Sequence, residues 1–157
     1  MENKIILCNT YFIIFSGDVV NLARGLVIQG TATGTPLGVF YGVEYQASDG
    51  SVVFSKNWVG STATLGSANA KAFVYADPDI VYEAQGSATP TQASIGTTNT
   101  ITTTAGDTST GRSKEAVTAT TSSGIALIHG FVDRPDNSIG QYARMYVSFP
   151  ASVFGNS

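Results

Sequence analysis

Turn-forming residues punctuate this sequence about every eight to twelve positions, and short runs of Val, Ile, Phe, Tyr and Thr lie between them. Breaks that close together leave no room for helices of ordinary length, so the spacing restricts the chain to the all-β class. The runs predicted as strands are Tyr11–Phe15, Val19–Leu22 after the turn Ser16-Gly17-Asp18, Gly25–Gln29, Leu37–Tyr45, Val52–Lys56, Ala72–Tyr75 and Ile80–Gln85. Gly38 and Gly42 inside the longest run predict a bend or a close approach of another backbone. Asp49-Gly50 is a hairpin signal, and Asp77-Pro78-Asp79 reads as a turn. Thr31–Thr35 and Gly60–Ala70 read as loops.

From Gly86 to Gly124 the composition changes to Thr, Ser, Gly and Ala. Few apolar residues are available there to order the chain, so the expectation is an extended surface excursion, disordered or packed on a neighbouring subunit. Within it, Gln92–Ile95 suits one helical turn and Asn99–Thr104 one polar strand. Strong patterning returns in Ile125–Val132, read as a buried strand, and in Tyr142–Phe149. In the last run Ala143, Met145, Val147 and Phe149 alternate with Tyr142, Arg144, Tyr146 and Ser148, which places the two sets on opposite faces of a strand.

The chain of 157 residues suits one β domain over 1–157. Its core strands are expected within about 11–85 and 125–149, and a loop-rich insertion over about 86–124. Short strands bent by glycines favour a small β-barrel, or a compact sandwich, with the insertion hanging from one end.

Charged residues make up 12% of the sequence, about half the usual share for a globular domain. A surface so poor in charge suits a protein held in an assembly, and also suits secreted β proteins. The net charge of −3 and the scatter of the eight basic residues argue against nucleic acid as a partner, because phosphate backbones need clustered Lys and Arg. Cys8 is the single cysteine, which excludes an intrachain disulfide and is expected to be a small buried apolar residue. The apolar run from Ile5 to Phe15 is too short to span a bilayer and no small-residue cleavage site follows it, so it is read as a strand and no membrane partner is expected.

No nucleophile elbow, phosphate-binding loop or dinucleotide fingerprint is present, and one histidine cannot build a multi-histidine metal site. His129 lies in an apolar run and is expected to be a hydrogen-bonded core residue. Trp58, the single tryptophan, is expected to fill core or interface area, with a sugar-stacking platform as the competing reading. Asp77 and Asp79 flank Pro78, and Asp133 and Asp136 flank Arg134-Pro135. A calcium site and a glycosidase pair are the functional readings of these carboxylates, but the EF-hand spacing is not met, nothing sets them apart from ordinary acids, and turn capping explains them better. No catalytic, cofactor-binding or metal residue is therefore assigned, and no enzyme activity is expected.

Several words stand in a fixed order: Gly38-Val39-Phe40-Tyr41-Gly42-Val43-Glu44-Tyr45, then Asp49-Gly50 and Val53-Phe54-Ser55-Lys56-Asn57-Trp58. Ala70 to Gln85, Thr108 to Ser113, and Phe131-Val132-Asp133-Arg134-Pro135-Asp136-Asn137 follow. This order resembles a family of virion structural proteins of tailed bacteriophages, common in marine and environmental phages, some treated as capsid decoration or cement proteins. The resemblance runs from about Phe15 to Phe149 and carries no catalytic residues. It implies a protein made in the host cytoplasm that ends on the capsid surface, with the major capsid protein as partner. Analogy with other small capsid-binding proteins implies a homo-oligomer, a trimer. A tail, fibre or head–tail joining protein, and a carbohydrate-binding module, are the alternatives.

Overall fold

In a computed structural model, residues 3–7, 12–60, 70–119 and 123–155 are described. Cys8, Tyr11 and most of the Gly60–Ala70 loop lie outside them, as does the stretch 120–122. The described chain is all-β, in three antiparallel sheets, with a 3₁₀ turn at Gln92–Ser94 and no α-helix.

The strands are β1 (Asn3–Leu7), β2 (Ile14–Phe15), β3 (Val19–Ala23), β4 (Leu26–Gln29), β5 (Pro36–Gln46), β6 (Val52–Ser55), β7 (Asn57–Trp58), β8 (Lys71–Tyr75), β9 (Tyr82–Gln85), β10 (Thr98–Asn99), β11 (Ala126–Phe131) and β12 (Arg144–Ser148). The larger sheet runs β1-β8-β5-β3-β4, with β6 also paired to β5. A four-stranded sheet runs β10-β11-β12-β9, and β2 and β7 form a two-stranded ribbon.

Local chemistry accounts for the turns. Arg24 and Gly25 both have positive φ, 52° and 79°, the requirement of the two-residue turn that joins β3 to β4. Arg at the first position hides this turn from sequence rules, which look there for Asn, Asp or Gly. The Asp49-Gly50 hairpin forms between β5 and β6, closed by Ser51 N–H donating to Asp49 Oδ1 at 2.9 Å. At Gly38 a side chain would collide with the Tyr75 carbonyl, so glycine there is what lets β8 lie against β5.

The described ladders carry three register shifts: one at Leu37 between β3 and β5, and two that redirect side chains outward. Phe40 pairs with Val74 and Gly42 with Phe73, which makes Tyr41 the extra residue on β5 and throws its ring outward. The same shift lets Phe40 and Val43, an odd number of residues apart, join one core. On β11, Ile128 pairs with Val147 and Gly130 with Tyr146, so His129 is the extra residue there.

The apolar residues form two clusters. One gathers Ile14, Val20, Val27, Leu37, Phe40, Val43, Trp58 and Val74 against the larger sheet. The other gathers Ile128, Met145, Val147 and Phe149 with Ile101, Val117 and Ala119, and receives Val19 and Val39 from the far side of β3 and β5. The ends of the larger sheet's order, β1 and β4, approach within 8 Å between Cα atoms, yet no ladder joins them and no closed barrel is found among the described residues.

The polar insertion is docked, not extended. Ile101 and Val117 bridge to each other, Gly86 bridges to Val117, and Thr98–Asn99 pairs with β11. The polar strand expected over Asn99–Thr104 is thus confined to Thr98–Asn99 plus a single bridge at Ile101. Likewise, the described part of the run Tyr11–Phe15 is strand only at Ile14–Phe15.

Candidate functional site

The outer face of β6, β5 and β8 carries an aromatic stripe. Phe73 and Tyr75 alternate with the buried Ala72 and Val74, so both rings face outward. Tyr41 meets Tyr75 edge-on at 5.4 Å between ring centroids, and Phe54 meets Phe73 at 5.5 Å. Gly42, with no side chain, leaves the gap that the Phe54 ring fills. Exposure is 47% for Tyr41, 58% for Phe54 and 71% for Val52, which continues the stripe along β6. The cross-strand partners Glu44 and Lys71 edge it. Neighbouring apolar rings that are exposed or half-exposed on paired strands make a patch of the kind that can serve as a contact face.

Trp58 takes no part in it. The indole is fully buried and packs edge-on against Tyr45 at 5.5 Å. The tryptophan is therefore a core residue, and a sugar platform built on it has no exposed face to offer.

His129 departs from expectation. The bulge turns it to the solvent side of β11, where it is exposed and not in the core. Its Nε2 lies 2.7 Å from Ser148 Oγ on β12. The pair lies beside a pocket of about 370 Å³ lined also by Pro78, Asp79, Val81 and Phe154. A serine nucleophile with a histidine base also needs a group that orients the base, and among the described residues no carboxylate is hydrogen-bonded to His129. The bond does what a cross-strand side-chain pair does, fixing register across the bulge.

Of the turn carboxylates, Asp77 caps its turn and Asp136 pairs with a cation. Asp77 Oδ1 accepts the Asp79 N–H at 2.9 Å, and Asp136 faces Arg144 at 3.7 Å. Among the described residues no three His, Cys, Asp or Glu side chains cluster where they would hold a metal ion. Asn137, whose role no local sequence signal marks, staples the end of β11 to β12: its Nδ2 donates to the carbonyls of Val132 and Arg144, and its Oδ1 accepts the Arg144 N–H at 2.8 Å.

Two other carboxylates, one buried and one partly buried, hold backbone N–H groups. Asp18 is fully buried, and its Oδ2 accepts the Phe15 N–H at 2.9 Å. Glu115 reaches over from the insertion, and its Oε2 accepts the Val19 N–H at 2.8 Å. Each leaves its second oxygen buried with no hydrogen-bond partner. Burial pushes the Glu115 carboxyl up to about 8; the Val19 N–H opposes the shift and the nearby Asp18 charge adds to it. Burial also raises Asp18, against hydrogen bonds from Ser113 and Phe15 N–H.

Comparison of the chain with protein-family profiles, with curated proteins and with solved structures finds no match.

Proposed function

We propose that this chain is a capsid decoration protein of a tailed bacteriophage, bound to the outer surface of the assembled major capsid lattice as a cement. The observation that carries the reading is the aromatic stripe of Tyr41, Phe54, Phe73 and Tyr75 on paired strands in a chain of low charge. It stands beside the resemblance of the sequence words to phage virion proteins. Such a surface docks with little loss of side-chain entropy and without stripping water from unpaired ions. The body behind it is read as an incompletely closed barrel with a second sheet against its flank.

The mechanism is linkage. A protein that binds the assembled lattice and not the free subunit stabilises the lattice by mass action. A homo-oligomer, a trimer by analogy, multiplies modest contacts through avidity. Its place in the cell is then the virion surface after synthesis in the host cytoplasm.

Quantitative mass spectrometry of purified virions tests this. A copy number equal to that of the major capsid protein, or a simple fraction of it, is expected. A few copies per particle would instead favour a tail, fibre or head–tail joining role. Absence from virions would overturn the structural reading and bring forward carbohydrate binding. Phe54→Ser is expected to lower capsid occupancy at least ten-fold while leaving the isolated fold intact, because Phe54 is exposed.

A further inference from the structure

The stretch from Ala105 to Val117 lies as a strap along the β2–β3 turn. Ser16 N–H donates to the Gly111 carbonyl at 3.0 Å, and Ser113 N–H to the Ser16 carbonyl at 2.9 Å. Gly106 packs so closely on the Phe15 ring that no side chain fits there. Glu115 makes the innermost tie, the 2.8 Å bond to Val19 N–H. Beneath the strap is a cleft of about 310 Å³ between the two larger sheets, lined by Val19, Val39, Tyr82, Ile101, Val117 and Phe149.

We propose that the strap is a protonation-controlled latch: it is seated while the Glu115 carboxyl is neutral, and it lifts from the β2–β3 turn, opening the apolar cleft, when Glu115 ionises beside Asp18.

Two carboxylates from distant parts of the chain clamp the N–H groups that flank one turn, and each has a buried oxygen without a partner. A buried charge without a counter-ion is costly, and two such charges repel. The titratable and charged groups around Glu115 supply no relief. Asp18 on the turn adds to the repulsion. Glu83 on β9 is already paired with Arg134 at 3.1 Å and lies 3.9 Å from Arg144. Tyr82 on β9, raised to about 12 by burial, stays neutral and donates to the Tyr75 carbonyl. On the strap itself, Lys114 is 3.9 Å from Asp107 and both Lys114 and Arg112 point to solvent. Ionisation of Glu115, with its carboxyl raised to about 8, therefore falls within an accessible range.

Arg112 and Lys114 are exposed on the strap, which makes trypsin a direct reporter, and Arg24 in the β3–β4 turn is an internal reference. The full chain and Glu115→Gln are digested at pH 6.5 and pH 9, with cleavage at each site followed by mass spectrometry. The wild-type to variant rate ratio at Arg112 and Lys114, normalised to Arg24, is expected to rise at least ten-fold between the two pH values. A ratio that stays flat, or an equal rise at Arg24, overturns the latch. Should Glu115→Gln fail to fold, wild type alone decides by amide exchange. Protection of Val19 and Ser113 relative to Val27 is expected to fall at least ten-fold over the same range, and unchanged relative protection overturns the proposal.

Discussion

The two core regions are built by different chemistry. The first, against the larger sheet, is assembled from strands that follow one another closely, and its interior is apolar, filled by Phe40, Trp58, Leu37 and Val43. The second is closed by a Thr- and Ser-rich segment in which polar side chains do part of the work of a ladder. Thr102 Oγ1 accepts the Ala116 N–H at 2.9 Å, Thr100 and Thr118 hydroxyls meet at 2.9 Å, and Ser94 Oγ donates to the Ala119 carbonyl at 3.0 Å. Among the described residues, a few apolar ones, Ile95, Ile101, Val117 and Ala119, reach the core from this segment. A polar composition is thus compatible with order when hydroxyls satisfy backbone groups that the sheet does not.

The contrast is open to attack at both ends. Trp58→Ala in the first core removes the largest fully buried side chain, and a loss of about 3–5 kcal/mol is expected in denaturant unfolding. If the second region survived that change with its own transition, the two regions would be separable.

Glu115 sets a pH signature on the second. Its folded carboxyl, raised from 4.5 to about 8, holds its proton more tightly than the unfolded one. Its contribution to stability is complete below about pH 4.5 and is lost as pH rises through about 8, an effect on the order of a few kcal/mol. Asp18, also raised, acts in the same direction from its ordinary value upward. Thermal melts from pH 5 to pH 9 are expected to show the decline, and Glu115→Gln to flatten it.

Asn137→Ala cuts three hydrogen bonds between β11 and β12, and a cost of about 2 kcal/mol is expected, read from the denaturant midpoint. The smallest effect is Thr102→Val, about 1 kcal/mol, with the loss felt as faster amide exchange at Ala116. A Thr102→Val variant with unchanged exchange would mean that packing of Ile101 and Val117 alone holds the insertion.

Legibility followed the same divide. In β5 and β8 the apolar runs lie between clear turn signals, and in β12 the side chains also alternate, so the strands could be read to within a residue or two, and the inward set Ala143, Met145, Val147 and Phe149 is buried as the pattern implies. The bulges were not legible. Nothing local in the run around Ile128 marks His129 as the extra residue, because the shift exists only relative to β12. Glu115 was invisible for a related reason: an acid between Lys114 and Ala116 reads as a surface charge until the fold sets it against Val19. The aromatic stripe lay between the two cases. The rings were evident, but which of them faced outward depended on the bulge at Tyr41.

The sheet orders also set a timetable for folding. The paired strands of the larger sheet all precede Ala76, so its hairpins can form on a nascent chain soon after that point emerges. β9 has no such freedom: its partners Met145 and Val147 belong to the final strand. Until β12 is synthesised, Val19 and Val39 face water on the finished sheet. A segment rich in hydroxyls and poor in apolar runs offers few of the windows that favour aggregation during that interval.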